Sequence, residues 1–193
     1  MDMTGTNVGV ALTGSFCNIH MAFKVIEDLV NAGASVTPII SYNVDKLDTK
    51  FHKAKDIKDT LTKLTGKKII TEITQAEPIG PTNMLDVLLI APATGNTIAK
   101  LANAITDTPV LMAAKSHLRN KKPVLIGIST NDGLGNNGGN IGRLLSTENI
   151  FFVPFIQDDP QKKEMSLVFD QDLVLKSIEQ ALNKKQAQPV IMS

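Results

Sequence analysis

Three clusters of small hydroxyl, amide and glycine residues each follow directly on a short apolar run. Thr13-Gly14-Ser15 follows Asn7 to Leu12, Pro92-Ala93-Thr94-Gly95-Asn96-Thr97 follows Asp86 to Ala91, and Ser129-Thr130-Asn131-Asp132 follows Pro123 to Ile128. Such residues can hold an anion without a single charged side chain. Gly14 lets the backbone approach a phosphate closely, and the free N–H groups of a helix start, with the Ser15 hydroxyl, can donate to it. The loop is not G-x-G-x-x-G, so a single phosphate fits better than a dinucleotide. A bare tight turn uses the same residue types, and that reading stays open. Ser41 ends the second apolar run and can either reach the same phosphate or simply open a loop. In the Pro92 to Thr97 run a helix cap accounts for Thr94 or Asn96 singly, but not for the whole set of donors.

Other reactive residues are fewer. Cys17 follows the first loop near a helix start, where a thiolate is stabilised; we read it as a small buried apolar residue rather than a nucleophile. His20, near the start of the first helix, either touches ligand or is a surface or capping residue; His52 lies in a polar, solvated loop of a kind that can act as a lid; and His117 lies on a helix surface beside Lys115 and Arg119. Three scattered histidines and one cysteine give no metal spacing and no disulfide. Glu77 and Asp132 are loop acids near the expected ligand edge, each a candidate general base or a solvated carboxylate. Asn131 to Asn140 is either a loop that closes on substrate or a glycine-rich turn.

The elements that must position these residues follow from pattern. The runs at Asn7–Thr13, Ser35–Ile40, Asp86–Ala91, Pro123–Ile128 and Ile150–Val153 are short, apolar and rich in β-branched residues, as buried strands are. A short strand is also expected at Lys67–Ile70. Pro38 places the second strand at an edge, or else lies near the start of that strand. Helical patterns occupy Ile19 to Val30 (closed by Gly33), Ala54 to Leu64, the segment after Thr97 through Ile105, Val110 to Leu118, about Asn140 to Leu145, and Asp170 to Asn183. Tyr42 to His52 and Glu72 to Leu85 read as loops. Strand-helix alternation predicts one α/β domain over 1–193, a doubly wound, mostly parallel, Rossmann-like three-layer sandwich. Ligands of such sheets bind outside the carboxyl ends of the strands, where all three polar clusters fall. The polar tail 184–193 is expected to be flexible or to wrap a neighbour.

Bulk composition excludes several functions. Twenty Lys and Arg against nineteen Asp and Glu leave a net charge of +1, no footing for non-specific nucleic-acid binding. Aromatics are 4% with no Trp, so base-stacking platforms are scarce. No apolar stretch reaches the ~18–20 residues of a membrane span, and the start has no leader pattern. A cytoplasmic protein is expected.

The run Pro92 to Thr97 resembles the P-A-S-A-N-T signature of the homo-oligomeric flavin-containing cysteine decarboxylases. This flavoprotein superfamily includes phosphopantothenoylcysteine decarboxylase and the flavin prenyltransferases. The segment Ile98 to Asp107 is similar to the superfamily's A-x-G-x-x-D stretch, with Ala104 where that stretch has glycine. Over essentially the whole chain the resemblance is closest to the family of dipicolinate synthase B subunits. It is carried by Ala11 to Cys17, Ala91 to Thr97, Thr106 to Lys115 and Gly127 to Asp132. The resemblance implies FMN, with Gly14, Ser15 and Ser41 at its phosphate, Thr94, Asn96 and Thr97 near the flavin, and Ser129 and Thr130 at its other side. It implies a trimer-based homo-oligomer. It further implies an A subunit resembling a nicotinamide-dependent dehydrogenase, which brings NAD(P). Together they would be an oxidoreductase making pyridine-2,6-dicarboxylate from a dihydro- or tetrahydrodipicolinate precursor, in the mother cell of a spore-forming bacterium. Asn96, Arg143 and Asp132 are the candidate catalytic residues, and Arg143 or Lys115 would meet a substrate carboxylate.

The sequence also departs from those relatives. Glu72 to Leu85 has no histidine where the decarboxylases place one. Their P-x-M-N-x-x-M-W clamp is replaced by Ser129 to Gly135. The prenyltransferases' basic R-E-x-P-L stretch is neutral or acidic here, leaving a prenyl phosphate without its charge partner. A prenyltransferase-like or decarboxylase-like flavoprotein and a non-catalytic partner of the A subunit remain as alternatives.

Overall fold

The computed structural model describes residues 1–192. The five apolar runs form parallel strands: β1 (Asn7–Leu12), β2 (Ser35–Ile40), β3 (Val87–Ala93), β4 (Val124–Thr130) and β5 (Ile150–Phe152). Their order across the sheet is β2-β1-β3-β4-β5. Side-chain alternation fills two cores. Val8, Val10 and Leu12 of β1 and Val87, Leu89 and Ala91 of β3 face one layer, while Ala11, Leu88 and Ile90 face the other. Complete burial on both faces accounts for apolar runs without polar alternation.

Helices α1 (Ile19–Asn31), α3 (Ala54–Thr65) and α8 (Val174–Leu182) cover the first face. Helices α5 (Gly95–Ala102), α6 (Pro109–Leu118) and α7 (Gly138–Leu145) cover the second. The three-layer doubly wound architecture expected from sequence is the one observed. Pro38 lies in the outermost parallel strand, which on its outer side is flanked by the bridge Ile39–Ile70. Gly33, just past α1, takes φ +91°, a value that penalises any residue with a Cβ.

Several local expectations change. The stretch Tyr42 to His52 is not all loop, because Ser41 caps a short helix α2 (Tyr42–Lys46). Lys67 to Ile70 makes a bridge at Ile70 rather than a strand. Between Glu72 and Leu85, Glu72 and Gln75 form a capping box on α4 (Ile73–Ala76), followed by a 3-10 turn at Glu77–Ile79. Helix α5 stops at Ala102, and Ile105 is exposed. Val30 is also exposed, at the margin of the buried stripe of α1.

The largest addition is a hairpin of β6 (Phe155–Asp159) and β7 (Lys163–Phe169), in a region where the sequence reading has no strand. It pairs antiparallel with Ser129 and Thr130 of β4, beyond the part of β4 that pairs with β5. The sheet thus forks at its carboxyl end. This pairing extends β4 two residues past the expected Ile128.

The tail folds back on its own chain. Gln186 bonds both the N–H and the C=O of Phe152, Ala187 is buried, and Phe155 exchanges backbone bonds with Val190 and Met192. Ser193, the last residue of the expected flexible tail, lies outside the described residues. Among the described residues, no helix is long and apolar enough to cross a membrane.

Candidate functional site

In the strand order β2-β1-β3-β4-β5, the connections leaving β1 and β3 run to opposite faces, so a crevice opens between their carboxyl ends. Thr13 is the staple of that crevice. Its buried hydroxyl donates to the Pro92 carbonyl at 2.7 Å and accepts from the Thr94 N–H at 2.9 Å. The first two polar clusters are therefore fixed against each other. The chain reaches this geometry through a register shift between Ile90 and Ala93, which turns Ala93 to the same layer as Ile90 and presents Thr94 at the rim. Thr94 caps α5, accepting from the Thr97 N–H. Thr97 is buried behind it, with the two hydroxyls 3.1 Å apart.

The third cluster closes on the first. The Ser15 and Ser129 hydroxyls are 2.7 Å apart, and the Asn18 amide donates to Ser129 at 2.8 Å. The Asp132 carboxylate accepts from the Thr130 hydroxyl at 2.5 Å and from the Asn137 amide at 2.8 Å, which ties the glycine-rich loop back onto β4. Gly95 is the residue that allows this. A Cβ there would fall 2.6 Å from Asn137 Nδ2 and Asp132 Oδ1 and 2.7 Å from Thr130 Oγ1. The superfamily signature has alanine at this position, so the Asp132 cluster and Gly95 go together.

The result is a cleft of about 630 Å³, within the usual range for small-molecule sites. Its inner wall carries Gly14, Ser15, Asn18, Thr94, Asn96 and Ser129. Helix starts contribute amide N–H groups that no helical carbonyl can accept, at the 3-10 turn Phe16–Asn18 and at α5. The outer wall carries Phe16, Phe51 and the cations Lys50 and Lys163. Lys163, on the hairpin, pairs with Asp158 at 2.5 Å, and that hydrogen bond holds its ammonium above the usual lysine range.

Of the residues singled out from sequence, Gly14, Ser15, Thr94, Asn96, Ser129, Thr130 and Asp132 line this cleft together. Ser41 does not; its hydroxyl caps α2. Arg143 does not either. Its guanidinium donates to Ala102 O and Asn103 Oδ1 at the carboxyl end of α5, where a cation complements the helix dipole. Lys115 is exposed on α6, and Glu77 is exposed on its 3-10 turn, both outside the cleft wall. Cys17, read as buried, is exposed and lines the cleft. His117, read as a surface residue, is buried: it continues the stripe of Val110, Ala113 and Ala114 by which α6 packs into the second core, and its ring meets the backbone of Pro123. His20 is exposed, and His52 lies edge-on to Phe23. Among the described residues, no group of three His, Cys, Asp or Glu is placed to hold a metal ion.

Sequence reasoning places Thr13 in the first cluster without its stapling role, and misses Asn18, Lys50 and Lys163 as site residues. Lys163 enters because the hairpin folds over the rim. The apolar run Leu167-Val168-Phe169 after the turn at Pro160 is the available signal.

Residues 1–138 match the family model described as Flavoprotein. The chain is 50% identical over 190 residues to the B subunit of dipicolinate synthase from Bacillus subtilis (strain 168), covering 98% of this chain and 95% of that one. The crystal structure of the dipicolinate synthase B subunit from Bacillus halodurans superposes with a TM-score of 0.92 at 48% identity, over 100% of this chain and 99% of that one. The FMN-dependent cysteine decarboxylase SpaF shares the fold at a TM-score of 0.68 and 18% identity, over 93% of this chain and 98% of that one. By sequence and by structure the chain belongs to the flavoprotein family, with the B subunits of dipicolinate synthase.

Proposed function

We propose that the cleft binds FMN and that the chain acts with an A subunit to form pyridine-2,6-dicarboxylate. The observation that carries this reading is the stapling of Thr13 to Pro92 and Thr94. It gathers two donor-rich loops at the switch point of the strand order, where sheets of this class hold their ligands. The backbone N–H groups of Gly14, Phe16 and Cys17 and the Ser15 hydroxyl would hold the phosphate, the Ser15 N–H being bonded to the Thr13 carbonyl. Thr94, Asn96 and Thr130 would border the flavin, while Phe16 and Phe51 offer it apolar surface. Ser129 can remain bonded to Asn18 while Ser15 turns its hydroxyl to a ligand, since a hydroxyl both donates and accepts. When bound, the flavin would supply a two-electron acceptor.

A hydrated tetrahydrodipicolinate must lose water, then a hydride and a proton, to reach the aromatic ring. The residues of this chain would position the ring and hold water away from it. Among the described residues, the carboxylates lining the cleft are Asp132 and Asp158, engaged by Thr130 and Asn137 and by Lys163 respectively. Within this reading the assembly is an oxidoreductase. NAD(P) enters with the A subunit, copies of this chain form a trimer-based homo-oligomer, and the setting is the mother-cell cytoplasm of a sporulating bacterium. The flavin-bound chain alone, the A subunit alone and the two together should be assayed for formation of the dicarboxylate, beside an absorption spectrum of the purified chain. Full activity of the A subunit alone, with no FMN taken up by this chain, would refute the reading. Incubation with reduced FMN and dimethylallyl phosphate should give no adduct.

A further inference from the structure

We infer that Lys163, carried over the cleft by the β6–β7 hairpin, is the anchor for one carboxylate of the substrate. This rests on the dicarboxylate reading of the cleft. Two carboxylates need cationic partners, and Arg143 and Lys115 lie elsewhere. Lys50 and Lys163 are the cations in the wall. Lys50 stands in a loop with its ammonium 5.1 Å from the centre of the exposed Phe51 ring. Lys163 stands on a strand opposite Asp159 in the hairpin, and β7 is itself hydrogen-bonded to Ser129 and Thr130 of the inner wall. The sheet fixes the base of the hairpin, at Leu167 and Val168, against the neutral cradle, and Lys163 projects from its turn end four residues further out.

Its present partner is a weak competitor. Lys163 and Asp158 keep 56% and 38% of their side-chain surface in solvent, and such pairs contribute little. A substrate carboxylate can replace Asp158 without leaving a buried charge behind, because Asp158, at the edge of the cleft, keeps 38% of its side chain in solvent.

The test is calorimetric titration of pyridine-2,6-dicarboxylate into the chain, with and without FMN, next to pyridine-2-carboxylate. The wild-type chain should prefer the dicarboxylate. Lys163→Gln should weaken it at least tenfold while FMN affinity stays within twofold of wild type, and Lys163→Arg should restore most of the loss. Asp158→Asn should tighten the dicarboxylate several-fold, a gain that a damaged fold cannot produce. Equal dicarboxylate affinity in wild type and Lys163→Gln, or no binding to the wild-type chain in either form, overturns the inference. Dicarboxylate binding that depends on Lys163 in a chain that takes no FMN would uphold it while removing the flavin.

Discussion

The hydroxyls of Ser15 and Ser129 meet at 2.7 Å across the carboxyl end of β3, joining the first phosphate-type loop to the end of β4. Ser129 is buried and also accepts from Asn18. Ser129→Ala removes a hydroxyl that two groups share. A hydrogen bond of this kind contributes about 0.5–1.5 kcal/mol, and a buried donor left without a partner costs about 1–3 kcal/mol. We expect a stability loss of about 1–2 kcal/mol by urea denaturation. FMN affinity should fall roughly tenfold by fluorescence titration, since about 1.4 kcal/mol is a factor of ten. Unchanged flavin affinity would detach this contact from the ligand cradle.

Thr13→Val is the more damaging change. Valine keeps the shape but strips the hydroxyl from both the Pro92 carbonyl and the Thr94 N–H, two groups at the base of the cleft. The Thr94 N–H loses its partner, while the Pro92 carbonyl keeps the Thr13 N–H at 3.2 Å. One donor left without a partner sets the scale, so a loss of about 1–3 kcal/mol is expected, with Thr13→Ser retaining most of the stability. If valine is tolerated within about 0.5 kcal/mol, the loops are held together by other means.

What the residues reveal, and what they hide, divides by range. The parallel strands and the switch-point loops are local patterns, so Gly14, Ser15, Thr94 and Asn96 are legible in the sequence alone. Arg143 is not, because a cation in a chain of this charge can end anywhere on the surface. Its destination, the end of α5, depends on how α5 and α7 pack. Cys17 misleads because a residue just past a buried strand can face either core or crevice. The hairpin escapes because strand pairing with Ser129 and Thr130 is a long-range event, and Lys163 is hidden with it. His117 misleads because its polar ring beside Lys115 and Arg119 reads as surface, although its spacing from Val110, Ala113 and Ala114 puts it on the buried stripe of α6.

Gly95 tests a feature particular to this chain. Restoring the alanine of the superfamily signature places a methyl 2.6 Å from Asp132 Oδ1 and Asn137 Nδ2. Overpacking of this kind costs about 1–3 kcal/mol. Asp132→Ala removes one of the clashing atoms, so the double variant Gly95→Ala/Asp132→Ala should be less destabilised than the sum of the two single changes, by about 1 kcal/mol. Strict additivity in thermal or urea unfolding would show that Asp132 and Gly95 are not coupled.

His117 sets a pH dependence away from the cleft. It is 1% exposed, its Nε2 has no hydrogen-bond partner among the described residues, and burial, reinforced by the charge of Lys122, lowers its pKa from 6.5 to about 4. The folded chain therefore prefers the neutral ring. Above pH 6.5 neither state carries the proton, and the contribution to stability is complete. As the pH falls from 6.5 towards 4, the unfolded chain is protonated and the folded one is not, so stability drops, levelling off only below about 4. At about 1.4 kcal/mol per unit the full loss is about 3 kcal/mol. Urea unfolding between pH 7.5 and 4 should show this slope, and His117→Gln should flatten it. An equally steep decline in the glutamine variant would assign the acid sensitivity to the carboxylates.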